Sequence, residues 1–339
     1  MQKTIIIFAV TLFSFFLLNS CEGDQQKDKV EEAIIEAKAD TVLVKFNEQI
    51  KLHPNDPGIY HQRAKYFLEI NNIDAAFADM GRVFIIDSTK VDYFITLSEL
   101  YFIKGMAGNV KASLEKGLSL EPQNTDALMK LGELYLYLEK YKECIGTIDK
   151  VLKIDKYNAK AYFIKGVAFK ETGDTSKAVS SFQTTVEQDP EYYHAYMQLG
   201  LLFSSRQNKL ALDYFNNAIK INPQSVEAYY GIGMFLQENG LPEKAIEAYT
   251  ILLQIDPIHK NAHYNLGYVH SEYLKEYKIA IEHFSNAIKS DPGYYEAFYM
   301  RGYSYERMGD LKKAAEEYKA ALNIQPDYDL AAIGLGRIS

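Results

Sequence analysis

From about residue 30 to the C-terminus, apolar side chains return three, four and seven positions apart, the period of a helix with one buried face. Bulky residues stand at Tyr60, Phe94, Leu128, Tyr162, Tyr196, Tyr229, His263 and Phe298, and seven positions further on at Phe67, Tyr101, Tyr135, Phe169, Phe203, Leu236, His270 and Tyr305. Between the two rows lies a row of small residues: Ala64, Ser98, Gly132, Gly166, Gly200, Gly233, Gly267 and Gly302. A small side chain in mid-helix marks a place where another chain segment approaches closely. The pattern then restarts with a second small row, Ala76, Val110, Cys144, Ala178, Ala211, Ala245, Ala280 and Ala314, and with the bulky Phe182, Phe215, Tyr249, Phe284 and Tyr318. Each unit therefore reads as two amphipathic helices. Gly173-Asp174, Gly240-Leu241-Pro242 and Gly309-Asp310 supply the turn between them.

The unit repeats. Pro54, Ser88, Pro122, Lys156, Pro190, Pro223, Pro257, Pro292 and Pro326 succeed one another at intervals of 33 to 35 residues. A period of that length belongs to arrays in which each element buries its apolar face only against its neighbours. The shorter and the longer interval precede Ala211 and Ala280, and both changes are expected in the turns, where length is tolerated. Amphipathic patterns at Val30–Ala37 and Leu43–Ile50 predict a pair of capping helices in front. Leu330–Ile338 predicts a single helix at the back, with Gly336 at the small-residue position.

An aromatic residue, two residues, Leu-Gly, two residues and an aromatic, then Ala, an aromatic, Ala and a closing Asp-Pro resembles the tetratricopeptide repeat. Leu199-Gly200, Leu266-Gly267 and Ala314, Tyr318, Ala321, Pro326 carry the resemblance best. Ser88 and Lys156 for the closing proline, Gly117 and Thr185 for the last alanine, and Cys144 in an alanine slot depart from it. The resemblance implies an all-α, right-handed superhelical solenoid of antiparallel helix hairpins, about eight repeats over residues 57–326. Capping segments at 30–56 and 327–339 complete the expected array.

The resemblance also implies that first helices line a concave binding face. Positions three before and one after the small residue point there: Phe163 and Val167, Met197 and Leu201, Tyr230 and Met234, Tyr264 and Tyr268, Tyr299 and Tyr303. The front repeats offer His61 and Lys65, Ile95 and Glu99, Met129 and Glu133 instead. A floor of tyrosine and methionine suits an extended or helical segment of a protein partner, or the face of a sugar. The same rows also read as packing between neighbouring first helices. Flanking Glu171, Glu227, Glu238, Glu272, Glu296 and Glu306 favour a partner segment that is apolar and basic. The family's clamp for a chaperone C-terminal carboxylate is not matched by His61, Lys65, Thr96, Asp126 and Lys130.

At the N-terminus, Lys3, the apolar run Ile5–Leu18 and Asn19-Ser20-Cys21 have the layout of a secretory signal over residues 1–20. As a helix that run would extend about 21 Å, short of the roughly 30 Å bilayer core. Its ending resembles the bacterial lipoprotein box, which implies lipidation of Cys21, and Glu22 in place of Asp implies the outer membrane. Residues 21–29 contain no apolar side chain beyond the cysteine and read as a polar tether.

Charge and candidate chemistry change this picture little. The formal charge is -8, with no basic cluster, so nucleic acid is a poor partner. No phosphate loop, His-Glu-x-x-His or nucleophile elbow occurs, so no catalytic residue and no cofactor is expected. His259, His263, His270 and His283 fall within one repeat, but His263 and His270 occupy core slots about 10 Å apart along a helix, so no metal is expected. Cys144 reads as a buried, inert thiol. The last helix lacks a strong polar outer face, which suggests self-association or partner contact at that end.

Overall fold

The computed structural model describes residues 41–339, all of whose regular elements are helices. Cys21, the tether and the Val30–Ala37 pattern lie outside the described residues. The described residues divide into two compact units, the first ending at Pro122 and the second running from Gln123 to Ser339.

In the first unit a helical stretch, 41–52, precedes two hairpins, Pro57–Glu69 with Ile73–Ile86 and Val91–Ile103 with Ala107–Leu120. Phe46 and Ile50 of the leading stretch pack on the first hairpin, Phe46 against the Tyr66 ring at 6.1 Å. Ala64, Ala76, Met80, Val83 and Leu100 are fully buried there. Arg63 forks onto Asp79 through bonds of 2.7 and 2.6 Å, which compensates the buried carboxylate.

The second unit continues with six hairpins, from Thr125–Tyr137 with Tyr141–Ile154 to Tyr295–Arg307 with Leu311–Ile324, and a last helix, Asp329–Arg337. Side chains of Asn124, Asn158, Asp174, Ser225 and Asp310 accept a backbone N–H at the N-termini of their helices. Phe182, Phe215, Tyr249, Phe284 and Tyr318 of the second helices are fully buried, and each lies over the glycine of its own first helix. A Cβ built on Gly166 would stand 2.7 Å from the Phe182 ring, and one on Gly200 2.5 Å from Phe215. The ring occupies the volume that the missing side chain vacates.

Every turn inside a hairpin contains one residue with positive φ, at Asn71, Gly105, Glu139, Gly173, Gln207, Gly240, Lys275 and Gly309. The left-handed residue lets the last carbonyls of the first helix find donors, as where Met106 N–H reaches Tyr101 O at 2.9 Å. Four of these positions carry a side chain and bear about 1 kcal/mol of strain each.

Three details differ from the sequence-based expectation. The extra residue of the seventh repeat does not lengthen its turn; it is absorbed inside the first helix, which runs as Lys260–Tyr268 and then as the π-turn Val269–Tyr273. The shorter fifth repeat trims both helices, to Tyr193–Ser204 and Leu210–Ile221, and has a wider connection. On the last helix Gly334, not Gly336, meets the Tyr318 ring, while Gly336 has nothing within 4 Å. The helix face toward the preceding repeat lies two residues before the face toward a repeat's own second helix, as Gly231 and Gly233 also show with Phe215 and Tyr249.

The two classes of glycine should respond oppositely to alanine. Gly200→Ala is expected to cost about 1–3 kcal/mol by overpacking against Phe215. Gly146→Ala, exposed in mid-helix with open space around it, should gain about 0.5–1 kcal/mol. Urea denaturation of both variants measures the difference in sign.

Candidate functional site: the first-helix face of the second unit

The two rows singled out on the first helices separate in the structure. The row three residues before the glycine is a wedge between repeats. Phe163 and Met197 are buried, at 2 % and 8 % exposure, and so form no open floor. Phe163 packs on Phe182 at 5.5 Å and on Tyr192 at 4.9 Å. The later members repeat the arrangement half-buried. Tyr264 sits on Phe284 and stacks with Tyr294 at 5.1 Å, and Tyr299 sits on Tyr318 and Tyr328. Tyr230 lies between Tyr249 and His259. Each aromatic wedge, at Phe163, Tyr230, Tyr264 and Tyr299, thus contacts its own second helix and the residue that opens the next first helix. Burial pushes the hydroxyls of Tyr264 and Tyr294 well above the ordinary range.

The row one residue after the glycine is the open one. Leu201 is 51 % exposed, and Val167, Met234, Tyr268 and Tyr303 are half-buried. Tyr268 and Tyr303 rest with Tyr264 and Tyr299 on the patch formed by Phe284 and Met300. Met234 Sδ and the Tyr230 hydroxyl both meet the Asn265 amide, at 3.1 and 3.3 Å, which ties the sixth repeat to the seventh on this face.

Charge on the face is uneven. Lys260 is held by Asp291 at 2.5 Å, Lys160 by Glu133 at 2.6 Å, and Lys170 by Gln198 and Glu171. Arg307 lies over the Tyr277 and Tyr303 rings. The acids are less well matched. Glu227 faces Tyr193 and Glu296 faces Tyr295 rather than cations. Glu272 has Lys275 at 3.9 Å; burial raises the hydroxyls of Tyr268, Tyr299 and Tyr303, and the Glu272 charge adds to that rise, most at Tyr303. Glu306 is an exception: it accepts from Tyr318 at 2.6 Å and from Arg337 at 2.6 and 2.8 Å, and the arginine holds its carboxyl below the usual range. That acid anchors the last helix and is withdrawn from the first-helix face.

Cys144 is fully buried, and burial pushes its thiol up to about 12. Among the described residues no three His, Cys, Asp or Glu side chains are placed to hold a metal ion, and no helix is long and apolar enough to cross a membrane. The partners of the wedge row, Tyr192, Tyr294 and Tyr328, escape a reading of helical periodicity. Their signal is a tyrosine two positions after the closing proline, and it recurs in three repeats.

Known proteins give the array its family. Models of the tetratricopeptide repeat match residues 125–158, 160–192, 214–247 and 273–329. Human mitochondrial import receptor subunit TOM70 is 22% identical over 330 residues, covering 94% of this chain and 51% of that protein. The bovine BBSome complex member BBS4 is 21% identical over 309 residues, covering 91% and 53%. The chain spans about half the length of these curated relatives. Among solved structures, the C-terminal part of a TPR repeat-containing protein from Cytophaga hutchinsonii superposes with a TM-score of 0.63 at 19% identity, over 71% of this chain and 99% of that one. With matched repeats over four segments and consecutive helix hairpins throughout, the chain belongs to the tetratricopeptide repeat proteins.

Proposed function

We propose that this protein is a non-enzymatic scaffold that binds a protein partner along the first-helix face of its second unit. The observation that carries this reading is the open row Leu201, Met234, Tyr268 and Tyr303, one residue per repeat on successive repeats, bordered by Glu227 and Glu296, which face tyrosine hydroxyls, and by Glu272, whose nearest cation is 3.9 Å away. Such a row offers a ladder of apolar contacts with hydroxyl edges, and the bordering acids select a segment that is both apolar and basic. Relatives named as an import receptor and as a complex member are consistent with a binding role. We further propose that Cys21 is lipidated and that residues 21–29 tether the array to the outer membrane, a reading that rests on the sequence of the N-terminus. Exposed Leu330 and Ile333 on the last helix are the residues through which a second copy or a partner would meet that end.

Photocrosslinking in cells from position 268, with a probe at Lys313 as control, tests the binding face. The expected result is a protein trapped from 268 alone, weakened by Glu272→Gln and by salt, since attraction between exposed charges is screened. Trapping that sugars compete away and salt leaves unchanged would replace the protein partner with a glycan. Equal trapping from both positions would sink the reading.

Tyr268→Ala with Tyr303→Ala should abolish trapping from a probe at Met234 and change stability by less than about 1 kcal/mol, as expected for part-exposed residues. Tyr264→Ala removes a packing wedge and should cost about 3 kcal/mol. For the anchor, Cys21→Ser should move the chain from the membrane to the soluble fraction; a chain that stays with the membrane overturns the lipid reading.

A further inference from the structure

The seventh repeat carries histidine in both aromatic slots of its first helix, and His283 of its second helix stands between them. His263 Nε2 lies 3.1 Å from the Pro257 carbonyl oxygen, so that nitrogen donates and Nδ1 presents a lone pair. Tyrosine does the same work elsewhere, since the hydroxyls of Tyr60 and Tyr162 donate to the carbonyls of Pro54 and Lys156. Unlike tyrosine, the imidazole has a second nitrogen. It faces His283 Nδ1 at 3.4 Å, and with His263 Nδ1 accepting, His283 donates. A single proton joins the two helices at this point.

The column continues through His270, whose ring is parallel to that of His283 within 9°, with centroids 5.6 Å apart. His270 Nδ1 donates to Glu276 Oε2 at 2.7 Å, and the Glu276 N–H returns to the His270 carbonyl at 2.8 Å. Glu276 is the residue that opens the second helix, and His270 lies inside the π-turn Val269–Tyr273. That turn also presents Glu272 and Tyr273, next to Tyr268, on the outer side. A π-turn is a single-turn bulge in an α-helix, frequent at functional sites.

We propose that the histidine column is an acid-operated latch: neutral, it clamps the two helices of the seventh repeat, and protonated, it releases the hairpin and resets Tyr268, Glu272 and Tyr273. Protonation of both imidazoles of the His263–His283 pair would set two cations with N–H facing N–H at 3.4 Å and no acceptor between them. The charges that reach His283 are those of His263 and His270, both repulsive when protonated. Glu276 is engaged by His270 at 2.7 Å, and the His270 ring lies against that of His283. From the eighth repeat Arg301 meets the second helix at Ser285, 2.9 Å away, but turns its charge to Glu317 at 2.8 Å. The sixth repeat faces the first helix through neutral Tyr249, bonded to Asn265 at 3.1 Å.

Burial, then His263 and His270, lower His283 from 6.5 to about 4. The open hairpin therefore binds protons more readily than the closed one. Clamping is complete above pH 6.5 and is lost as pH falls toward 4.

Hydrogen exchange on the full chain, corrected for the intrinsic rate at each pH, reads the clamp directly and needs no ligand, so its outcome is independent of the binding reading above. Protection over residues 263–285 should fall by about tenfold or more between pH 6.5 and 4.5, ahead of the fifth repeat. His263→Tyr keeps the bond to the Pro257 carbonyl and removes the titrating pair, and His283→Ser installs the residue found at Ser181 in the fourth repeat. Either variant should flatten the pH dependence. The chain has no tryptophan, so a Tyr273→Trp reporter is unambiguous; its emission should change over the same range and stay constant when His263→Tyr is added. Equal loss of protection in all repeats, or an unchanged midpoint in both variants, would overturn the latch. A silent reporter while the hairpin opens would overturn its link to the outer residues.

Discussion

The fold depends on one contact, made again in repeat after repeat: an aromatic ring of the second helix laid over a glycine of the first. In the fourth to eighth repeats that ring is fully buried, and a single methyl at the glycine would collide with it at 3.0 Å or less. The contact sets how closely the helices of a hairpin approach and at which height they meet. The position of every other side chain on the first helix is fixed by it. Because the contact is local, each hairpin needs only its neighbours to complete its core, and stability accumulates along the array rather than around one centre.

The same geometry explains which parts of the first-helix face are legible in sequence. A helical wheel places both rows beside the glycine on one side, and so assigns both to the face. In three dimensions the next repeat divides them. It begins with an aromatic residue that closes over the first row, as Tyr192 does over Phe163, Tyr294 over Tyr264 and Tyr328 over Tyr299. A contact between one helix and the opening of the next has no helical period, so the periodic pattern does not contain it. The core rows, by contrast, are periodic, and Ala178, Ala211, Ala245, Ala280 and Ala314 are all fully buried as expected.

Two other features are hidden for different reasons. The left-handed residue of each turn is visible in sequence only where it is glycine; at Asn71, Glu139, Gln207 and Lys275 the turn forms because the packed helices impose it, at a cost in backbone strain. The extra residue of the seventh repeat belongs, by sequence alone, in a turn, where insertions are usually cheap. It lies in the helix because its turn already has the length of its neighbours and because His270 supplies what a π-turn lacks, a side chain that fastens its carbonyl end to Glu276.

Histidine in a core slot is a choice with physical consequences. Tyrosine at the position of His263 serves packing and the carbonyl bond equally well, as Tyr60 and Tyr162 do, and is neutral at any physiological pH. Replacing it with histidine costs apolar area and adds an ionisable ring. One such replacement would be a tolerated substitution. Three imidazoles in contact, on two helices, with the last held by the carboxylate that opens the second helix, make the closure of one hairpin depend on a proton count. The flanking repeats, with Tyr229 and Leu236 or Phe298 and Tyr305 at the same positions, do not share that dependence. A scaffold of uniform repeats thereby gains one joint that differs from the rest, at the place where its first helix is already out of register and where tyrosine takes over the open row.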